Sequence, residues 1–214
     1  MVLSYKVDDE NVFIVKNIVN ENINLIERST CRAKLKLEAN IKLITLIGRV
    51  YFAQKGHDLA IQAIYKLHLK YPGKFRFVIV GDGPDLEKLK VIIKQYGAIL
   101  PVDFMSWTPN PSLIYSATDV IIIPSRYEGV PMVMLEAMKL NVNIIASDLP
   151  IFKSYLPNEM LFKKDDPVAL FELLEERVIS ADANEIISYG TVDENILDFN
   201  QKSIKKFLKT SKLF

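Results

Sequence analysis

The sequence predicts an α/β fold, a Rossmann-like parallel sheet flanked by helices. Three observations carry this. Short, nearly continuous apolar runs rich in β-branched residues, among them Lys42–Ile47, Phe75–Val80 and Val120–Pro124, alternate with longer segments of helical periodicity. Such runs read as strands buried on both faces rather than on one. Gly and Pro stand at most of the junctions. Repeated strand–helix units build a parallel sheet covered by helices on both sides.

The elements follow in order. Val12–Val15 reads as a strand, and the polar stretch Asn20–Leu37 as helical. Lys42–Ile47 is the first buried strand. His57–Leu69 repeats Leu59, Ala60, Ala63, Ile64 and Leu67 at helical spacing and stops at Tyr71-Pro72-Gly73. Phe75–Val80 is the next strand, and Asp85–Tyr96 the next helix, ended by Gly97. A short strand, Val102–Phe104, precedes a short helix, Pro111–Ala117. The strand Val120–Pro124 leads into the helix Pro131–Leu140, where Pro131 is placed at a first position that needs no N–H partner. Asn143–Ala146 is the last predicted strand. Pro167–Val178 is a helix, with Asp165 or Asp166 as its cap. The chain thus divides into an opening segment (1–40), a nucleotide-sized α/β domain (41–180) and a helical tail (181–214).

Composition narrows the classes of function. Half of the 214 residues are hydrophobic, enough for a sizeable core. A net charge of +1 argues against a nucleic-acid partner held by bulk charge. The single cysteine, Cys31, precludes an internal disulfide framework and fits a reducing, cytoplasmic location. No run approaches the ~18 apolar residues of a spanning helix, and no signal-peptide core is present at the N-terminus. His57 and His68 are the only histidines, and no cluster has metal-ligand spacing, so no metal is expected.

The most informative stretch is Ser125-Arg126-Tyr127-Glu128-Gly129-Val130-Pro131-Met132-Val133-Met134-Leu135-Glu136. A loop at the carboxyl end of a parallel strand, feeding a helix N-terminus, is where open α/β sheets bind anions and nucleotides. Glu128 lies in that loop and Glu136 about two turns into the helix. Carboxylates repel phosphate, so their expected partners are hydroxyls. A diphosphate at the helix end with a hydroxylated ring on either side is a nucleotide-sugar. Gly129 lets backbone approach such a ligand closely, and the N–H groups of Val130, Met132 and Val133 are candidate donors. Glu136 stands among Met132, Val133, Met134, Leu135, Ala137 and Met138, so its carboxylate requires a partner or an opening to a cleft.

Glu128 and Glu136 resemble the Glu-x7-Glu motif of retaining glycosyltransferases of the GT-B fold, family 4 in particular. Further matches recur in the family's order: Gly48-Arg49, Lys55-Gly56-His57-Asp58, Val80-Gly81-Asp82-Gly83-Pro84, Tyr115-Ser116-Ala117-Thr118-Asp119-Val120, Pro124-Ser125 and Ile145-Ala146-Ser147-Asp148. They extend over about Val12 to Val178. The resemblance implies the C-terminal, donor-binding half of a GT-B enzyme, a hexosyltransferase-type protein whose N-terminal acceptor-binding domain is missing here. It assigns Arg49 and Lys55 to the departing diphosphate of a UDP- or GDP-sugar, where fixed cations stabilise growing negative charge. Glu128 would meet the donor sugar and Glu136 the ribose. Neither acts as a general base, because in retaining transfer of this type the donor phosphate takes the acceptor proton on the same face. Cations and a helix N-terminus replace a metal. The implied context is cell-surface polysaccharide or glycoconjugate synthesis.

Several positions keep two readings. Gly81-Asp82-Gly83-Pro84 is either a tight strand–helix turn or a backbone lining for the nucleotide pocket; with Leu86 in place of a third glycine it is not a dinucleotide fingerprint, which disfavours a dehydrogenase. Ser106 stands where the family usually has the Gly of Phe-x-Gly near the base. Trp107 could stack on a base, though packing is favoured. His57 reads as a helix-start residue with a ligand role as the alternative, and Arg126 and Tyr127 as a frame for the loop. Asn141-Val142-Asn143 and Lys153-Ser154 depart from the family's Gly-x-Pro and following Glu. The basic stretch Lys202–Phe214 either packs on protein or lies on the inner face of an anionic membrane. Competing functions are a non-catalytic nucleotide-sugar-binding subunit or sensor, and a nucleotide-sugar epimerase of the same fold.

Overall fold

A computed structural model of the chain describes residues 22–97, 100–108 and 111–179, together with Asn17 and Val19. In chain order the elements are α1 (Arg28–Lys34), β1 (Lys42–Ile47), α2 (Phe52–Lys55), α3 (His57–Lys70), β2 (Phe75–Val80), α4 (Leu86–Gln95), β3 (Val102–Met105), α5 (Ser112–Ala117), β4 (Val120–Ile123), α6 (Met132–Lys139), β5 (Asn143–Ser147), α7 (Pro150–Lys153), β6 (Leu161–Phe162) and α8 (Pro167–Leu174), which continues as a π turn over Glu175–Ile179. The strands form one six-stranded sheet of order β3-β2-β1-β4-β5-β6. Every pairing is parallel, from Lys42 opposite Phe75 to Ser147 opposite Phe162. The expected Rossmann-like sheet is therefore observed.

The continuous apolar runs are explained by burial on both faces. Ile44, Leu46, Phe77, Ile79, Val120 and Ile122 face a core closed by α3, α4 and α8. Ile121, Ile123, Ile144 and Ala146 face α6 and Phe152 on the other side, and Leu43, Val78 and Val80 face α1 and α5. Thr45 is the polar exception in β1. It is fully buried, and its hydroxyl pairs with that of Thr118 at 2.8 Å, which in turn donates to the Ile114 carbonyl. In α3 the predicted apolar positions are all buried, as is Ile61. Asp166 is the cap of α8: its carboxylate accepts from the N–H groups of Val168 and Ala169.

Three expectations need correction. The helix predicted over Asn20–Leu37 covers only Arg28–Lys34. Glu27 caps it by accepting from the N–H groups of Ser29 and Thr30, and the preceding residues lie along α5, where Ile26 N–H donates to the buried Ser116 hydroxyl at 2.9 Å. Arg32, nearly buried, ties α1 to the sheet through Asp119 and the Ala117 carbonyl. Pro131 is the cap of α6 rather than its first residue: its ψ of 124° is extended, and its carbonyl accepts the first helical bonds from Met134 and Leu135. Trp107 does not pack; it is 69 % exposed. The short elements α2, α7 and β6 were not expected at all. The predicted strand at Val12–Val15, the tail at 181–214 and its basic stretch lie outside the described residues.

Candidate active site

The strand order reverses at the middle of the sheet. From β1 the chain steps outward through β2 to β3, then returns to β4 on β1's other side. Such a reversal opens a crevice at the carboxyl ends of the two central strands. The loops that follow β1 and β4, residues 48–56 and 124–131, meet there.

Gly56 fixes how they meet. Its φ is 63°, and a Cβ at this position would stand 2.1 Å from the Pro124 carbonyl oxygen. Only glycine lets the α2–α3 turn lie so close against the β4 loop. A hydrogen bond from Arg126 N–H to the Gln54 carbonyl, 2.7 Å, joins the same two loops. Arg126 itself is a clamp. Its guanidinium binds both oxygens of Asp58 at 2.8 and 3.0 Å, Asp165 at 2.7 Å, and the Phe52 carbonyl. Hydrogen bonds to Asp58, then to Asp165, hold its pKa above the usual arginine value. The frame expected of Arg126 is therefore observed, with named partners.

This geometry brings Lys55 to Glu128. The two are 73 residues apart in sequence, yet Lys55 Nζ lies 2.5 Å from Glu128 Oε1. The Ser125 hydroxyl donates to the same oxygen at 2.7 Å, and the Ser125 carbonyl is held by the Ser147 hydroxyl at 2.6 Å. The pair is sheltered: the Glu128 side chain is 6 % exposed and that of Lys55 20 %. Arg49, one residue beyond Gly48, is exposed and pairs with no carboxylate among the described residues. Gly129, Val130 and Met132 form an exposed rim, with the half-buried Val133 behind them. The N–H groups of Met132 and Val133 precede the first bonds within α6 and donate to no acceptor among the described residues.

Glu136 has the partner its apolar neighbours demand. The Tyr115 hydroxyl donates to its Oε2 at 2.6 Å. Partial burial raises the Glu136 pKa, and the Tyr115 bond pulls it back down. Burial, then the adjacent Glu136 charge, pushes the Tyr115 phenol far above its ordinary value, so it remains a donor. Gly81 and Gly83 touch the β1 loop directly: added Cβ atoms would stand 2.3 Å from the Gly48 carbonyl oxygen and 2.2 Å from that of Val50. Val50 N–H donates to the Asp82 carbonyl and Asp85 N–H to that of Val50, so the two loops interlock. Ser106 is exposed just past β3, two strands away from β1.

Beyond Glu128 a cavity of about 480 Å³ is walled by Tyr127, Leu149, Pro150 and Ile151, with Arg126 and Glu128 at its polar side. Its size falls in the range of small-molecule sites. Among the described residues no group of His, Cys, Asp and Glu is placed to hold a metal ion, and no helix is long and apolar enough to cross a membrane. Sequence reasoning missed the roles of Ser125 and Tyr115. Both stand within the motifs it quoted, but neither spacing nor residue type reveals which carboxylate each one touches.

His57 begins α3, as expected, with its side chain fully buried and neither ring nitrogen hydrogen-bonded to a described residue. Burial lowers its pKa to about 4, with Asp58 opposing and Lys55 reinforcing. The unfolded chain takes up this proton near pH 6.5, well before the folded one does. Stability is therefore lost as pH falls below 6.5 and levels off below about 4. The expected loss between pH 7.5 and 5 is about 2 kcal/mol. Urea unfolding at the two pH values checks this, and His57→Leu should remove most of the difference.

Residues 27–190 match the family described as glycosyl transferases group 1. The chain belongs to this family. Among curated relatives, the O-antigen biosynthesis glycosyltransferase WclY of Escherichia coli is 31 % identical over 121 residues, 56 % of this chain and 33 % of WclY. The matched stretch thus spans about a third of that relative's length. Among solved structures, HepE of Anabaena in complex with UDP-glucose aligns with a TM-score of 0.74 at 18 % identity, covering 90 % of this chain and 55 % of HepE. The C-terminal domain of the group 1 family protein LpcC of Francisella tularensis aligns with a TM-score of 0.68 at 20 % identity, covering 87 % of this chain and 97 % of that domain. The sheet is that of the GT-B glycosyltransferases.

Proposed function

We propose that this chain is the C-terminal, donor-binding half of a retaining family 4 glycosyltransferase. It would take a sugar from a UDP- or GDP-sugar, without a metal, for transfer to an acceptor in cell-surface polysaccharide or glycoconjugate synthesis. The observation that carries the reading is the meeting of Lys55, Glu128 and the α6 N-terminus at the crevice where the strand order reverses. A diphosphate placed there meets Lys55, Arg49 and the N–H groups of Met132 and Val133 at the start of α6. As the sugar bond breaks, negative charge grows on the diphosphate, and these groups stabilise it without moving. Glu128 offers acceptor oxygens to the sugar hydroxyls, and Glu136, steadied by Tyr115, to the ribose. The Gly81 and Gly83 backbone and Ser106 are assigned to the nucleoside side. The acceptor-binding half comes from a domain this chain lacks; the one-third coverage of WclY supports that reading. A cytoplasmic location with peripheral contact at the membrane belongs to the same proposal.

Lys55→Ala and Arg49→Ala are expected to weaken nucleoside diphosphate binding by roughly 1–3 kcal/mol each, the range of charge-assisted contacts. Arg49→Ala should leave stability unchanged, its side chain being exposed. Lys55→Ala removes the partner of the sheltered Glu128 and should lower the melting temperature without changing the fold, since neither side chain belongs to the apolar cores. Titration calorimetry of each variant beside a thermal melt is the check. Wild-type affinity in both would remove the phosphate assignment.

A further inference from the structure

We propose that Glu128 is an intramolecular competitor for Lys55, so that the site holds an intact nucleotide-sugar more firmly than the nucleoside diphosphate left after transfer. The inference rests on the donor-binding reading above and concerns how the same site tells substrate from product.

The observation is the pair itself. Lys55 Nζ is 2.5 Å from Glu128 Oε1, in a place where the carboxylate is 6 % exposed. Exposed ion pairs contribute little, but a sheltered pair is costly to break from one side, because it leaves a desolvated charge without its partner. A diphosphate that reaches Lys55 imposes that cost. It also brings further negative charge towards a carboxylate already in place, and like charges repel strongly where water is scarce. A bare nucleoside diphosphate therefore pays for Lys55 with the loss of the Glu128 pair.

An intact donor offsets the loss. Its sugar carries hydroxyl donors that replace the lysine on Glu128. The carboxylate is already held for them, because the Ser125 hydroxyl donates to Oε1 at 2.7 Å independently of Lys55, and Ser125 is itself fixed by Ser147. Ser125 is thus the positioning residue that keeps Glu128 aimed while Lys55 turns to phosphate. The Lys55 stem can make that turn, since Cδ and Cε run beside Gly48, 3.8 Å from where a Cβ would be, with no side chain there to block them. Once the sugar has gone, Glu128 loses its hydroxyl partners and reclaims Lys55, which loosens the product. Arg49, with no carboxylate on it among the described residues, takes the phosphate without any such exchange.

The test is calorimetry on the full 214-residue chain with UDP, GDP and inorganic pyrophosphate, comparing wild type, Glu128→Gln and Glu128→Asp. Glu128→Gln should bind the preferred nucleoside diphosphate about tenfold more tightly than wild type, and pyrophosphate should gain in the same direction. The shorter Glu128→Asp, whose carboxylate is drawn back from Lys55, should gain less, and it carries the comparison if the Gln variant does not fold. On a Lys55→Ala background the Gln substitution should gain less than on wild type, because the competed partner is gone and only the repulsion between Glu128 and the diphosphate is left to relieve. If wild type binds nucleotide and neither Glu128 variant binds it more tightly, the competition is overturned while the donor reading stands. If no protein binds nucleotide or pyrophosphate, the donor reading falls and takes the inference with it.

Discussion

Supplying an acceptor-binding domain, fused to this chain or added in trans, is expected to raise acceptor-dependent sugar transfer by at least about a thousandfold over the chain alone. A thousandfold corresponds to roughly 4 kcal/mol of barrier. Holding two reactants in near-attack geometry is worth up to about 7–11 kcal/mol, so the expectation lies within what positioning can provide. In the proposed function every assigned residue acts on the donor: Lys55, Arg49 and the start of α6 on phosphate, Glu128 and Glu136 on hydroxyls. No described residue is left over with an evident task of activating an acceptor, and in the proposed retaining reaction the donor phosphate accepts the proton. A closing partner domain would also exclude water from the crevice. The chain alone should show only slow donor hydrolysis. Acceptor-dependent turnover by these 214 residues at the fused protein's rate would place the acceptor site within them.

The second large effect concerns Gly56. Gly56→Ala is expected to destabilise the fold by about 2–5 kcal/mol, from left-handed backbone strain and from overpacking. The added Cβ would meet the Pro124 carbonyl oxygen at 2.1 Å, and backbone cannot rotate away as a side chain can. Against a total stability of about 5–15 kcal/mol this is a serious loss. Gly73 separates the two causes. Its φ of 71° is equally left-handed, but a Cβ there meets nothing within 4 Å. Gly73→Ala should therefore show the strain alone, about 1–2 kcal/mol. Chemical denaturation of both variants is the measurement. Equal losses would mean that the Gly56–Pro124 approach is looser than the geometry indicates. Because Gly56 follows Lys55 directly, any Gly56→Ala protein that folds should also bind nucleotide more weakly.

The fold was legible where the sequence carries a periodic signal strong enough to outweigh local detail. β1 and β2 match the expected bounds residue for residue, because both faces of each strand are buried and the apolar runs end where the sheet ends. The opening helix was overextended because residues 20–27 have helix-compatible composition, and what ends the helix is tertiary. The α5 serines capture the backbone of the preceding strap, and Glu27 caps the turn that follows. β6 has two residues and could not generate a pattern. Trp107 was expected to pack from its size alone, but it leaves the end of the edge strand β3, where the described residues give it no cover.

In the site, residue types were legible and pairings were not. The need of Glu136 for a partner follows from its apolar neighbours, yet only the packing of α5 against α6 identifies Tyr115. Lys55 and Glu128 were assigned to different groups of one ligand, the diphosphate and the donor sugar. That they face each other depends on β1 and β4 being neighbours, a non-local fact to which Gly56 and Arg126 give its final closeness.

The central claim is that this crevice binds a nucleoside diphosphate through fixed protein charge. Titration calorimetry of the purified chain with UDP and with GDP, in the presence of a chelator, tests it most directly. The account predicts saturable binding of at least one of them without metal, lost or strongly weakened in the Lys55→Ala, Arg49→Ala double variant. Folded protein that binds neither nucleotide at millimolar ligand, or that binds only after a divalent metal is restored, would contradict it.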